Sequence, residues 1–115
     1  MENFSKRQNK VSRLLQKELG EIFQIESLNL FLGAMISVTV VRVSPDLGFA
    51  KVYVSIFSPK TPVNEIYDLI NKNSKKIRFL LGIKIKNQIR SIPELVFFID
   101  DSLDYIENIE NLLKK

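Results

Sequence analysis

Two apolar periods alternate along this chain. Residues 6–25 carry Val11, Leu14, Leu15, Leu19 and Ile22 at helical spacing, which predicts one helix with a single buried stripe. Ser5 stands where its N-cap belongs. Residues 27–34 hold Leu28, Leu30, Phe31 and Leu32 before Gly33; this link is too apolar to be free and is expected to pack across the domain. From Met35 the period changes to two. Ile36, Val38 and Val40 share a face, and then Val41 and Val43 flank Arg42. That phase change predicts either a bulge or two partly covered faces. Ser44-Pro45-Asp46-Leu47-Gly48 reads as a hairpin turn, with Pro45 fixing one φ and Gly48 free to take a positive one. In the following strand Ala50, Val52, Val54 and Ile56 oppose Lys51, Tyr53, Ser55 and Phe57, so one face packs on helices and the other keeps water contact.

Helical spacing returns at Val63, Ile66, Tyr67, Leu69 and Ile70, with Thr61 as cap and Pro62 at the first helical position. Asn71-Lys72-Asn73-Ser74 interrupts it, and Ile77, Leu80, Leu81 and Ile85 resume it, so a break is expected near residues 73–75. After Pro93, Leu95, Phe97 and Ile99 alternate with Val96 and Phe98. A strand apolar on both faces suits an inner position in the sheet. Asp100-Asp101-Ser102 then cap a final helix over residues 103–113, ending on Lys114-Lys115 in the charge order that suits the helix dipole. The order helix–strand–strand–helix–helix–strand predicts an α+β fold, and 115 residues make one domain with one core.

Composition narrows the chemistry. The chain has neither cysteine nor histidine. Disulfides, thiolate nucleophiles and zinc–sulfur sites are excluded, and the side chain best suited to proton transfer near neutral pH is missing. The four glycines are scattered at 20, 33, 48 and 82, so there is no glycine-rich phosphate loop. Asp100 and Asp101 are explained by capping, and adjacent strand residues point apart. No cofactor, metal or small-molecule substrate is indicated. The first residues hold no signal-peptide core, and no apolar run approaches the roughly 20 residues that cross a bilayer. The expectation is a cytoplasmic, non-enzymatic monomer without a membrane.

The formal net charge of +4 suits an anionic partner without demanding one. Its placement says more. At 100° per residue, Lys6, Lys10, Arg13 and Lys17 fall on one strip opposite the apolar stripe of the first helix, with Arg7 beside it. A solvated surface explains such a strip, and on this helix alone it is the plainer account. The interrupted helix pair carries a second cluster, Lys72, Lys75, Lys76 and Arg78, then Lys84, Lys86 and Arg90, and the expected break at residues 73–76 would add free N–H donors for phosphate. The two clusters together favour nucleic acid. The runner-up is a non-catalytic protein–protein interaction module without direct RNA contact, docking through its sheet or through residues 28–32.

Several stretches in fixed order resemble the ribosome-binding factor A family. They are Arg13-Leu14-Leu15-Gln16-Lys17-Glu18-Leu19, residues 36–43, Ser44-Pro45-Asp46-Leu47, Ala50-Lys51-Val52-Tyr53-Val54-Ser55, Ile77-Arg78-Phe79-Leu80-Leu81 and Ile92-Pro93-Glu94-Leu95-Val96-Phe97-Phe98-Ile99-Asp100-Asp101-Ser102. The resemblance implies a type II KH-like domain, a three-stranded sheet with helices on one side. It implies binding to the free small ribosomal subunit and its 16S rRNA, assistance in late subunit maturation and no chemistry of its own. Phosphate contacts would then come from Lys6, Arg7, Lys10, Arg13, Lys17, Lys75, Lys76, Arg78, Lys84 and Arg90. The chain departs from the family where an Ala-x-Gly kink usually stands. Here Asn73-Ser74-Lys75 must bend the helix, with Lys75 in a left-handed or frayed conformation. Residues 86–90 read as a small insertion.

Overall fold

The computed structural model describes residues 5–100; the final helix expected over residues 103–113 lies outside them. Helix α1 (Lys6–Ile25) opens with a capping box. Gln8 N–H donates to Ser5 Oγ at 3.1 Å, and Ser5 N–H donates to Gln8 Oε1 at 2.9 Å, so two free N–H groups of the first turn are met. Gln8 is itself buried, and its Nε2 donates to the Val43 carbonyl at 3.0 Å. One residue thus caps the helix and ties it to a strand.

That strand, β1 (Met35–Val43), pairs antiparallel with β2 (Phe49–Phe57). The phase change at residues 38–43 is a bulge. Val38 faces Val54 and Val40 faces Tyr53, with Thr39 the extra residue. The bulge sends Val41 and Val43 to the helix side and Val40 and Arg42 to the other. Gln16 Nε2 donates to the Val38 and Thr39 carbonyls at 3.3 and 3.2 Å, a second tie between α1 and the strand.

The turn differs from expectation in one respect. Leu47 takes the positive φ, 60°, and Gly48 does not. Gly48 is needed for closeness instead. Its N–H donates to Asp46 Oδ1 at 2.9 Å, and a Cβ there would stand 3.1 Å from both carboxylate oxygens. Ser44 Oγ donates to Asp46 at 2.7 Å. That bond, followed by the Gly48 N–H, holds the Asp46 carboxyl below its usual 3.8. A carboxyl depressed on folding stabilises the fold above its unfolded value, and the gain is lost as pH falls through the folded one. Asp46→Asn is therefore expected to lower stability at neutral pH, with the gap from the unchanged chain closing below pH 3.8 in urea titrations.

Strand β3 (Glu94–Ile99) pairs parallel with β2, and the sheet order is β1-β2-β3. This corrects the inner position expected for β3, which is an edge strand. Its two apolar faces have different environments. Leu95 and Phe97 are buried beneath helices, whereas Val96 and Phe98 lie partly exposed on the open face.

The helices share the other face. After the single turn α2 (Ser27–Leu30), Phe31 enters the core against Phe23, with ring centroids 5.5 Å apart, and Phe23 meets Phe97 edge-on at 6.0 Å. Only part of this link packs. Phe31 and Ala34 are buried, while Leu28 is 84% exposed and Leu32 is also exposed. Helix α3 (Val63–Lys72) starts one residue later than expected, with Pro62 as N-cap. It buries Ile66 and Ile70, and its Tyr67 hydroxyl donates to the Phe97 carbonyl at 2.7 Å. Helix α4 (Ser74–Ile85) buries Ile77, Leu81 and Ile85 and packs on both α1 and β3. A further turn follows, with Gln88 N–H donating to Ile85 O at 2.8 Å, and it takes up the residues read as an insertion.

Candidate nucleic-acid interface

Tethering by Gln8 and Gln16 fixes the roll of α1 on the sheet. Val11, Leu15, Leu19 and Ile22 are pressed inward, and Lys6, Lys10, Arg13 and Lys17 are exposed on the opposite side. Arg7 is also exposed and shares a small cleft with Asp46 and Arg90. None of the four cations on the strip forms an ion pair with another described residue. The first turn of α1 has no acidic residue and carries Lys6 and Arg7. Positive charge at a helix N-terminus opposes the dipole and costs stability rather than adding it.

The break between α3 and α4 sits at Asn73, which closes one helix and opens the next. Its φ of −99° and ψ of 14° lie in the bridge region, open to ordinary residues. Its Nδ2 donates to the Leu69 carbonyl at 2.8 Å. Lys75 is therefore neither left-handed nor frayed, a correction to the expected kink. It lies within the first turn of α4 without a positive φ. Glycine is not needed because an asparagine in the bridge region makes the break, its side-chain amide joining its backbone N–H on the Leu69 carbonyl.

Lys75 and Lys76 are exposed beside this break. Arg78 and Lys84 are engaged by the protein. Arg78 Nε and Nη2 donate to the Pro93 and Ile92 carbonyls at 3.1 and 2.6 Å, fixing the loop that leads into β3. Lys84 Nζ lies 3.1 Å from Glu21 and 3.6 Å from Glu18. The Glu21 hydrogen bond raises the Lys84 pKa above its usual 10.5. These two ion pairs occupy the seam between α1 and α4. At 100° per residue, Lys75 projects about 180° around α4 from Lys84, away from that seam. The two basic clusters therefore lie on neighbouring helices of one layer, separated by a neutralised strip.

Sequence reading missed what lies between the α4 cations. Phe79 is 67% exposed and Ile83 56% exposed. They line a shallow groove with Lys75, Arg78, Lys86 and Ile92. Cations around apolar surface can hold a phosphate backbone while bases rest on the apolar part. The signal was present in α4, where apolar residues occupy more positions than one buried stripe can use.

Known proteins match this arrangement. The family model for ribosome-binding factor A covers residues 7–113. Ribosome-binding factor A of Cytophaga hutchinsonii is 46% identical over 111 residues, spanning 96% of this chain and 83% of that protein. The crystal structure of ribosome-binding factor A from Thermus thermophilus superposes with a TM-score of 0.66 at 20% identity, over 80% of this chain and 94% of that one. A Thermus thermophilus ribosome binding factor A homology model, fitted into the cryo-EM map of a 30S complex, gives 0.61 at 23% identity, over 78% and 91%. The α+β arrangement described above is thus the KH-like one of these proteins. With the family model spanning nearly all of the sequence and the fold in agreement, the chain belongs to the ribosome-binding factor A family.

Proposed function

We propose that the protein binds the free small ribosomal subunit and assists its late maturation, including processing of 16S rRNA, as a cytoplasmic monomer with no catalysis of its own. The α1 strip lies against rRNA phosphates, and Lys75 and Lys76 add a second contact around the groove of Phe79 and Ile83. Arg7 and Arg90 flank the first surface. Arg78 and Lys84 support the fold, since their donors are directed to protein acceptors. The observation that carries this reading is the cationic strip on α1, unpaired among the described residues, with Lys6 at the helix end where positive charge opposes the dipole. The fold gains nothing from it, whereas a polyanion does. The relative fitted into a 30S complex supports the same partner.

Sedimentation of a cell lysate tests the reading. The protein is expected to comigrate with free small subunits and to be absent from translating ribosomes. Migration at the top of the gradient at low salt would reject it. One observation favours a second reading, a protein partner in place of RNA, namely the exposure of Leu28 and Leu32 on the link after α1. An apolar contact of that kind holds as salt rises, while phosphate contact weakens steeply.

A further inference from the structure

A small cleft lies where three parts of the chain meet. Helix α1 supplies Arg7 and Val11, the turn between β1 and β2 supplies Asp46, and the loop before β3 supplies Ile89, Arg90 and Pro93. Val11 and Pro93 are buried and Ile89 is half-buried, whereas Arg7, Asp46 and Arg90 are exposed, so the floor is apolar and the rim is charged. Arg7 stands four residues before Val11, one turn earlier on the same side of α1, and so turns from the cationic strip toward this cleft. Its volume of about 180 Å³ is below the roughly 300–1,000 Å³ of pockets that enclose a drug-sized ligand. It suits one ring system rather than a whole nucleotide.

The rim is held in place without being satisfied. Gln8 ties α1 to the Val43 carbonyl beside the turn, Glu94 N–H donates to the Gly48 carbonyl at 3.0 Å, and Arg78 grips the Ile92 and Pro93 carbonyls. These bonds fix the three segments against one another. Neither the Arg7 nor the Arg90 side chain forms an ion pair or hydrogen bond with another described residue. Asp46 accepts from Ser44 Oγ and from Gly48 N–H, both at Oδ1, so Oδ2 keeps its capacity to accept. No described cation pairs with it.

Forked donors and an open carboxylate oxygen above an apolar floor select a base over a bare phosphate. A phosphate would meet the guanidiniums but be repelled by Asp46, which the turn keeps ionised. Guanine presents O6 and N7 as adjacent acceptors, the pair onto which an arginine forks. Its N1–H and N2 amine are adjacent donors for a carboxylate, and its flat ring can rest on apolar side chains. Adenine pairs its N7 acceptor with an N6 donor, which matches neither side of the rim. We propose that this cleft holds the base of an unpaired guanosine in RNA, with Arg90 forking onto O6 and N7, Asp46 Oδ2 accepting from N1–H and the N2 amine, and Arg7 meeting that nucleotide's phosphate beside the α1 strip. The site rests on the proposed RNA contact of α1, to which it adds a base preference.

Fluorescence anisotropy with the full chain and short oligouridylates, each carrying one substituted nucleotide, provides the test. A strand with guanosine is expected to bind at least about tenfold more tightly than one with adenosine. Because Asp46→Asn also weakens the turn, the contacts are tested from the ligand side on the unchanged chain. Inosine lacks the N2 amine and 7-deazaguanosine lacks the N7 acceptor, and each is expected to lose about three- to tenfold. Arg90→Gln is expected to bring the guanosine strand down to the adenosine level. Equal affinity for all four strands would overturn the proposal; if their binding still fell steeply with salt, the α1 contact with RNA would stand without the cleft. No binding of any strand would overturn both. A guanosine preference untouched by both analogues would overturn the proposal as well. So would free GMP binding as tightly as the guanosine strand, since the cleft would then serve a free nucleotide and not RNA.

Discussion

Phe23→Ala is expected to lower the unfolding free energy by about 3–5 kcal/mol, the range for deleting a buried phenylalanine ring. Phe23 has no exposed surface, and it joins parts of the chain that share no local contact. Its ring meets Phe31 from the link and Phe97 from β3, while its backbone belongs to α1. Collapse around the cavity is resisted because α1 is tethered through Gln8 and Gln16 and β3 through Tyr67. Small domains have about 5–15 kcal/mol of stability in total, so the variant retains a narrow margin. Urea denaturation followed by circular dichroism measures the change, with the slope of free energy on denaturant unaltered. A loss below about 1 kcal/mol, far short of the cavity range, would show that the aromatic cluster relaxes freely and does not anchor the core.

Phe23 also marks where sequence reading stopped. The apolar stripe of α1 was legible through Val11, Leu15, Leu19 and Ile22, but Phe23 lies at its margin and Gln8 is polar. Periodicity finds the side of a helix that faces inward. It does not show that the linking segment returns Phe31 to cover Phe23, or that a capping glutamine also satisfies a strand carbonyl. The bulge was legible as one of two readings because the alternation of β1 breaks between Val40 and Val41, and the helix break because Asn71, Asn73 and Ser74 are poor helix formers. The edge position of β3 was not. An apolar residue on both faces signals cover on both faces, and the sequence does not say whether the cover comes from strands beside it or from something lying over the sheet.

The cations divide in the same way. The α1 strip is a local property of one helix and was readable. The engagement of Lys84 is not local, since its partner Glu21 lies 63 positions away. Arg78 likewise answers carbonyls of a loop 14 and 15 positions on. Once a charged side chain finds a partner in its own fold, its position in a basic cluster stops being evidence for a ligand. Counting lysines and arginines therefore overstates the proposed RNA-facing surface, and the count falls to residues whose charge the described fold leaves unanswered.

This distinction sets the largest functional effect. Changing Lys6, Lys10, Arg13 and Lys17 together to glutamine is expected to weaken binding to purified small subunits and to flatten its salt dependence. Each phosphate contact contributes about 0.7–0.9 to the slope of log affinity on log salt, so four contacts change it by about 3 units. The fold should tolerate the change. These side chains are exposed and lie opposite the buried stripe, and removing Lys6 takes positive charge from the end of the dipole that disfavours it. Lys84→Gln serves as the contrast. Its ammonium is already answered by Glu21 and Glu18, so the slope is expected to match that of the unchanged chain. Fluorescence titrations at several salt concentrations give all three slopes. If the fourfold variant keeps the original slope, α1 does not face the rRNA. If Lys84→Gln loses as much as the fourfold variant, the α1–α4 seam is the binding surface, and the distinction between answered and unanswered charge is wrong for this protein.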